Sequence, residues 1–349
     1  MFQSTYEGAN MPRAMNLIEA KAEYRGHLTA RGLSKSTIKN HMQVLNLAQQ
    51  EWGDVRISAI TGSHIDRLFR RATWVASTRN LYLSNLRSFF QWCRRENYMA
   101  RDFDPTAGWN NLTVPRRDKM RLPLAEFPAL LDACKHPRDR MLCALGIYTF
   151  LRGGEIATLQ ISALNLERYE LNIYRHKTQE EDVLPVSLEL AAEFERYFRW
   201  YRTNQNTPHL RHEWYLIPSK APNPTRYNPV THRIEVSGEL APLRPTRKVS
   251  HPYRSVQRAL VVLGYDPLGE GEHTLRRSGS RALFDTLRDQ GYDGALMRVS
   301  SMLGHKDTRV TERYIGLSLE RTQRNEMISG NVMFPSLSHE DATVVEIAR

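Results

Sequence analysis

Between residues 102 and 121 the chain loses every helical or strand periodicity, and this break limits it to an architecture of two separately folded bodies. The stretch D-F-D-P-T-A-G-W-N-N-L-T-V-P-R-R-D-K-M-R carries two prolines, a glycine and a basic cluster, the composition of an interdomain linker. With 349 residues there is material for a core on either side of it.

Ahead of the break, after a loose tail at 1–13, apolar residues recur at steps of three and four. Leu17, Ala20, Tyr24 and Leu28 predict a helix from Asn16 that Gly32 ends. Ile38, Met42, Leu45, Ala48 and Trp52 predict a second between Ser34 and Gly53. A third starts at Ser63 with Ile65, Leu68 and Phe69, and a fourth near Ser77 with Tyr82, Leu86, Phe89 and Cys93 on one stripe. Residues 14–101 therefore form a small all-α domain, with Phe89, Phe90 and Trp92 as core residues in preference to base-stacking platforms. Behind the break, 122–330 reads as a larger mixed domain. Helices are expected at 138–150, 155–160, 188–202, 252–263, 274–290, 294–303, 308–314 and 317–328. A hairpin joins L-N-I-Y (171–174) to V-L-P-V (183–186), W-Y-L-I-P (214–218) is a strand, and 220–250 is a long loop. Residues 331–349 are a tail. The fold class is mostly α (α+β).

Charge is uneven. Residues 1–121 hold 19 Lys and Arg against 10 Asp and Glu, whereas 122–349 hold 30 against 28. A cationic first third suits a polyanion. Arg79, Arg87, Arg94 and Arg95 on the fourth helix, and Arg116, Arg117, Lys119 and Arg121 in the linker, are candidate contacts to DNA phosphates. The bland alternative is a solvated basic surface. No apolar run is long enough for a membrane span, and the N-terminus has no secretory pattern, so a cytoplasmic, nucleoid-associated protein is expected. Cys93, Cys134 and Cys143 show no metal-ligand spacing and read as small buried hydrophobes.

Six polar residues of the second domain carry the chemistry: Arg152, Lys177, His273, Arg276, His305 and Tyr314. They lie in T-F-L-R-G-G-E (149–155), Y-R-H-K-T (174–178), H-T-L-R-R (273–277) and L-G-H-K-D-T-R-V-T-E-R-Y-I-G (303–316). Two guanidinium groups can clamp a phosphate, two imidazoles and an ammonium can donate to it or move protons, and one phenol can attack. Each residue alone is unremarkable: a lone Arg after a helix is usually surface, H-x-x-R is a weak signal, and Lys177 could be a solvated turn lysine. Their joint order is specific. His273 and Arg276, three apart, share a helix face.

This order, with His305 and Tyr314 nine positions apart, resembles the tyrosine recombinase family and its phage integrase group. The resemblance covers about 14–330 and is specific after 145. Arg277 stands where many members have a second His, and Gly153-Gly154 where others have different small residues. It implies a core-binding domain and a catalytic domain clamped about double-stranded DNA, the short type without an arm-binding domain. It further implies a homotetramer on paired core sites, no cofactor or metal, and room for a directionality factor. Tyr314 would be the nucleophile that forms a 3′-phosphotyrosyl bond, Lys177 the donor to the leaving 5′ oxygen, and Glu155 a supporting acid that orients its neighbours. Leu317, Leu319, Met327 and Ile328 are candidates for docking on a neighbouring protomer or within the same chain. The signatures H-E-x-x-H and G-x-x-x-x-G-K-S/T are absent from the sequence. The leading expectation is an integrase of phage or mobile-element DNA. A Xer-like dimer resolvase, a type IB topoisomerase and a non-catalytic DNA-binding protein on the same fold are the alternatives.

Overall fold

The computed structural model describes residues 12–71, 73–114, 119–175, 178–223, 225–228, 232–236 and 240–317. They fall into two compact units that divide after Arg117.

Four helices build the first unit: α1 (Leu17–Ala30), α2 (Lys35–Trp52), α3 (Gly62–Arg71) and α4 (Ala76–Arg95). Their boundaries follow from local chemistry. The Ser34 hydroxyl accepts from the Thr37 backbone N–H at 3.1 Å and caps α2. Gly53, at φ +74°, supplies the backbone reversal that ends it. The apolar stripes meet in one core, where the Tyr24 ring lies 5.2 Å from both Phe89 and Trp92. Phe89, Phe90 and Trp92 are interior. Part of the pattern-free stretch is built into this unit. Trp109 packs on the core, and the Asn80 side chain brackets the Leu112 backbone, donating to its carbonyl and accepting from its N–H, each at 2.8 Å.

The second unit centres on a helix buried on all sides. That helix, α6 (Pro137–Tyr148), follows α5 (Phe127–Asp132) and precedes the short α7 (Gly153–Thr158). A three-stranded antiparallel sheet comes next: β1 (Leu164–Asn165), β2 (Glu170–Arg175) and β3 (Glu180–Pro185), with Arg175 opposite Glu180. Then come α8 (Leu188–Asn204), β4 (Pro218–Lys220), β5 (Thr225–Asn228), β6 (Arg233–Val236) and β7 (Leu243–Lys248). Helices α9 (Tyr253–Val262), α10 (Glu272–Asp289), α11 (Ala295–Leu303) and α12 (Thr308–Ile315) complete the described residues.

Two expectations need correction. The strand placed at 214–218 begins only at Pro218; Leu216 and Ile217 are a fully buried connector. The segment 220–250, expected as a loop, contributes β5, β6 and β7, with β4 pairing β7 and β5 pairing β6. Side chains along β7 are largely exposed, so the sequence lacks the apolar alternation that betrays a half-buried strand. The helix expected at 317–328 lies outside the described residues beyond 317.

Helix α10 crosses α6 at Gly279, where an added Cβ would come within 2.0 Å of the Ile147 carbonyl oxygen. Only a hydrogen fits there, so backbone meets backbone. On its other side α6 is tied to α9 and β4 through Asp139. The carboxylate accepts from Ser255 Oγ at 3.0 Å, Arg258 at 2.9 Å, Lys220 at 3.0 Å and Arg138 Nε at 2.9 Å. Burial would raise the Asp139 pKa, but the Arg138 and Lys220 charges outweigh it and hold the carboxyl well below the usual range.

Candidate active site

Arg152 is the residue before α7. Its backbone N–H and guanidinium both donate to Glu155, at 2.8 and 3.0 Å. Glu155 is 4% exposed, so this carboxylate is a fixed strut that aims Arg152 and has no open path to substrate. Two residues earlier, Phe150 sits at φ +55°, a conformation that disfavours any side chain. Its carbonyl accepts from Arg276.

Helix α10 brings His273 and Arg276. Arg276 is 1% exposed and also donates to the Leu303 carbonyl at 2.7 Å, while its guanidinium carbon lies 5.8 Å from the centre of the Tyr314 ring. Burial and the neighbouring Arg152 charge bring its pKa down to about 10. His273 Nδ1 lies 3.4 Å from the Tyr314 hydroxyl, and the His273 carbonyl 3.3 Å from it. Burial, then Arg276, Arg277 and Arg152, lower the His273 pKa, so the ring loses its proton more readily than an ordinary histidine.

Tyr314 stands near the end of α12. Burial raises its pKa; the Arg276, Arg277 and Arg152 charges oppose that rise. The His305 ring meets it edge-on, with centroids 5.7 Å apart. His305 follows Gly304, which caps α11 at φ +64°, a conformation that disfavours a side chain, and where a Cβ would press on the Arg175 guanidinium at 2.8 Å. Arg175 donates to the Met302 carbonyl at 3.0 Å and from Nε to Asp182 at 2.7 Å, and so pins the β2–β3 hairpin to the His305 turn. Sequence reasoning passed over Arg175; its burial, 4% exposed, is a product of the fold that no motif marks.

Arg152, His273, Arg276, His305 and Tyr314 thus converge from α7, α10, α12 and the turn after α11. Lys177 lies outside the described residues. A cleft of about 740 Å³ opens beside Arg152 and His273, also lined by Glu272 and by Lys248 at the end of β7. Lys248 is a basic residue of this cleft that no motif marks. Arg277 lends charge but turns into the frame, donating to Glu270 at 2.7 Å and to the Met120 carbonyl at 3.2 Å.

The candidate phosphate contacts divide. Arg79 stacks over Trp109, 4.8 Å from the ring centre. Arg87 donates to the Trp109 carbonyl, and Arg94 to the Phe103 carbonyl at 3.1 Å and to Asp104 at 3.2 Å, so both serve their own domain's frame. Arg95 is more exposed, beside His27 and Glu96. Lys119 is exposed, and Arg121 lies against Gly316. Arg116 and Arg117 lie outside the described residues. Among the described residues no helix is long and apolar enough to cross a membrane.

The Phage integrase family profile matches residues 120–321, which span every member of the constellation. The chain belongs to the phage integrase family. The family's N-terminal SAM-like domain matches residues 22–97. Tyrosine recombinase XerD of Pseudomonas aeruginosa is 25% identical over 311 residues, 84% of this chain and 90% of XerD. The defective protein IntQ of Escherichia coli (strain K12) is 27% identical over 161 residues, but the match spans only 43% of this chain and 40% of IntQ. In fold the phage integrase chain is similar to a lambda integrase dimer bound to a COC′ core site, with TM-score 0.61 and 18% identity over 87% of this chain and 78% of that one. It is equally similar to a lambda integrase tetramer bound to a Holliday junction, with TM-score 0.61 and 16% identity over 89% and 82% of the two chains.

Proposed function

We propose that this chain is a site-specific DNA recombinase whose Tyr314 attacks a phosphodiester. The observation that carries the reading is the approach of the Tyr314 hydroxyl to the His273 imidazole, 3.4 Å from Nδ1, with Arg276 over the Tyr314 ring. Near neutral pH a phenol is protonated and a poor nucleophile, and the raised pKa of Tyr314 makes this more so. His273, kept neutral, takes the proton as the tyrosyl oxygen bonds to phosphorus. The bond from phosphorus to the 5′ oxygen breaks, and Lys177 protonates that oxygen. Arg152, Arg276 and His305 stabilise the charge on the phosphoryl oxygens, a preorganised contribution of about 3 kcal/mol for one such donor. The phosphotyrosyl bond retains the diester's energy, so a 5′ hydroxyl from a partner strand reverses the chemistry without ATP.

Exchange between two duplexes takes four protomers, the assembly named for lambda integrase on a Holliday junction. Integration or excision of phage or mobile-element DNA is the first assignment. The match along 90% of XerD favours a second, resolution of chromosome or plasmid dimers. Any directionality factor belongs with the first.

The test uses a nicked duplex carrying the site that the protein selects from randomised DNA. Wild type is expected to leave a covalent adduct on denaturing gels. An adduct that persists in Tyr314→Phe assigns the nucleophile elsewhere, and no adduct at all leaves a DNA-binding protein. Recombination of two-site plasmids, as against relaxation alone, separates a recombinase from a topoisomerase.

A further inference from the structure

His305 is held from behind by two buried hydroxyls. Its Nδ1 lies 3.0 Å from Thr311 Oγ1, Thr311 Oγ1 donates to Ser300 Oγ at 3.0 Å, and Ser300 Oγ donates to the His305 carbonyl at 3.1 Å. Each hydroxyl has one proton to give. The Ser300 proton goes to a carbonyl, which can only accept. The Thr311 proton goes to Ser300. Thr311 therefore meets the imidazole with a lone pair, and His305 Nδ1 must carry the hydrogen between them. Thr311 is 0% exposed and Ser300 3%, so bulk water does not compete for these bonds. Thr311 also lies three residues before Tyr314 on α12, so one helix carries both the attacking phenol and the anchor of the imidazole.

We propose that Thr311 and Ser300 are positioning residues that fix the tautomer and ring orientation of His305, so that it addresses the scissile phosphate through Nε2 as an imidazolium. The target of the ring rests on the recombinase reading; the relay does not. With its Nδ1 hydrogen committed to Thr311, a neutral ring would present a lone pair at Nε2 and repel a phosphoryl oxygen. Only the doubly protonated ring donates there, and it brings a positive charge as well. Among the described residues, the charged and titratable groups near it include Tyr314 on α12, His273 and Arg276 on α10, Arg175 on β2 and, one residue on, Lys306, which is paired with Glu180 at 3.5 Å. The cations disfavour a further charge until the phosphodiester arrives.

The test compares Thr311→Val, which keeps the shape and removes the hydroxyl, with Thr311→Ser, which keeps the hydroxyl. Folding is checked by thermal melting, DNA affinity by titration, and single-turnover cleavage on the nicked duplex. Thr311→Val is expected to cleave about tenfold more slowly, the loss of one hydrogen bond, at unchanged DNA affinity. Thr311→Ser should recover the wild-type rate. Nitrogen-15 spectra of the histidine-labelled free protein, assigned with His305→Asn, should place the His305 hydrogen on Nδ1 in wild type and not in Thr311→Val. Wild-type cleavage by folded Thr311→Val overturns the proposal. So does an equal loss in Thr311→Ser, or an Nε2–H ring in wild type. A wild-type protein that forms no adduct refutes the recombinase reading instead, and the nitrogen spectra still decide the relay.

Discussion

At Tyr314 the obstacle is a proton, and the groups around it set how cleavage depends on pH. Burial, with Arg276, Arg277 and Arg152, lowers the His273 pKa from 6.5, so its neutral form persists into more acidic solution. Cleavage measured as kcat/KM, which reports the DNA-free protein, should therefore rise with pH through a midpoint below 6.5, not at it. A midpoint at or above the ordinary value would assign the base elsewhere. Tyr314→Phe keeps the ring beside His305 and Arg276 and removes only the oxygen, so it should bind DNA normally and form no adduct. The convergence of Arg152, His273, Arg276, His305 and Tyr314 was legible because their order and spacing are a pattern in themselves. Thr311, Ser300, Arg175 and Lys248 were not. A hydroxyl or a surface-type cation acquires its role only from what folding places beside it, and no spacing encodes that.

Helix spacing was legible wherever one face is apolar, as in α1, α2 and α4, because a period of three to four residues survives in the sequence. Strand β7 was not, since its largely exposed side chains carry no such alternation. Neither was the contact between α6 and α10, which hangs on a single hydrogen. Gly279→Ala drives a methyl into the Ile147 carbonyl and should destabilise the second unit by about 3 kcal/mol or more in urea unfolding. Asp139→Ala leaves Arg138 buried without its carboxylate and should destabilise by about 3–5 kcal/mol. Because the folded Asp139 pKa is depressed, its contribution is full above about pH 4 and is lost as the pH falls through the folded value. The gap between wild type and Asp139→Ala should narrow in acid, and a constant gap would mean that packing, not charge, is responsible.

Over the whole molecule the net charge of +11 sits mostly in the first 121 residues, with 19 basic against 10 acidic side chains. If that body holds DNA by its phosphates, affinity should fall steeply with salt, with log Kd against log salt rising by about 0.9 for each phosphate neutralised. Titration at several salt concentrations reads the slope directly, and a flat response would exclude the cationic body from the contact. Arg87 and Arg94 donate to their own domain, so their removal should lower thermal stability as well as affinity, whereas loss of the exposed Lys119 should lower affinity alone. Arg276, in the second unit, acts as a keystone. One buried guanidinium joins the carbonyl of Phe150, ahead of Arg152, to that of Leu303, ahead of His305. A product truncated after Asp289 would thus lose more than Tyr314, the proposed nucleophile: it would keep an interior cation stripped of one of its two carbonyls. Such a fragment should be degraded quickly instead of accumulating as a competitor that occupies sites without cutting them.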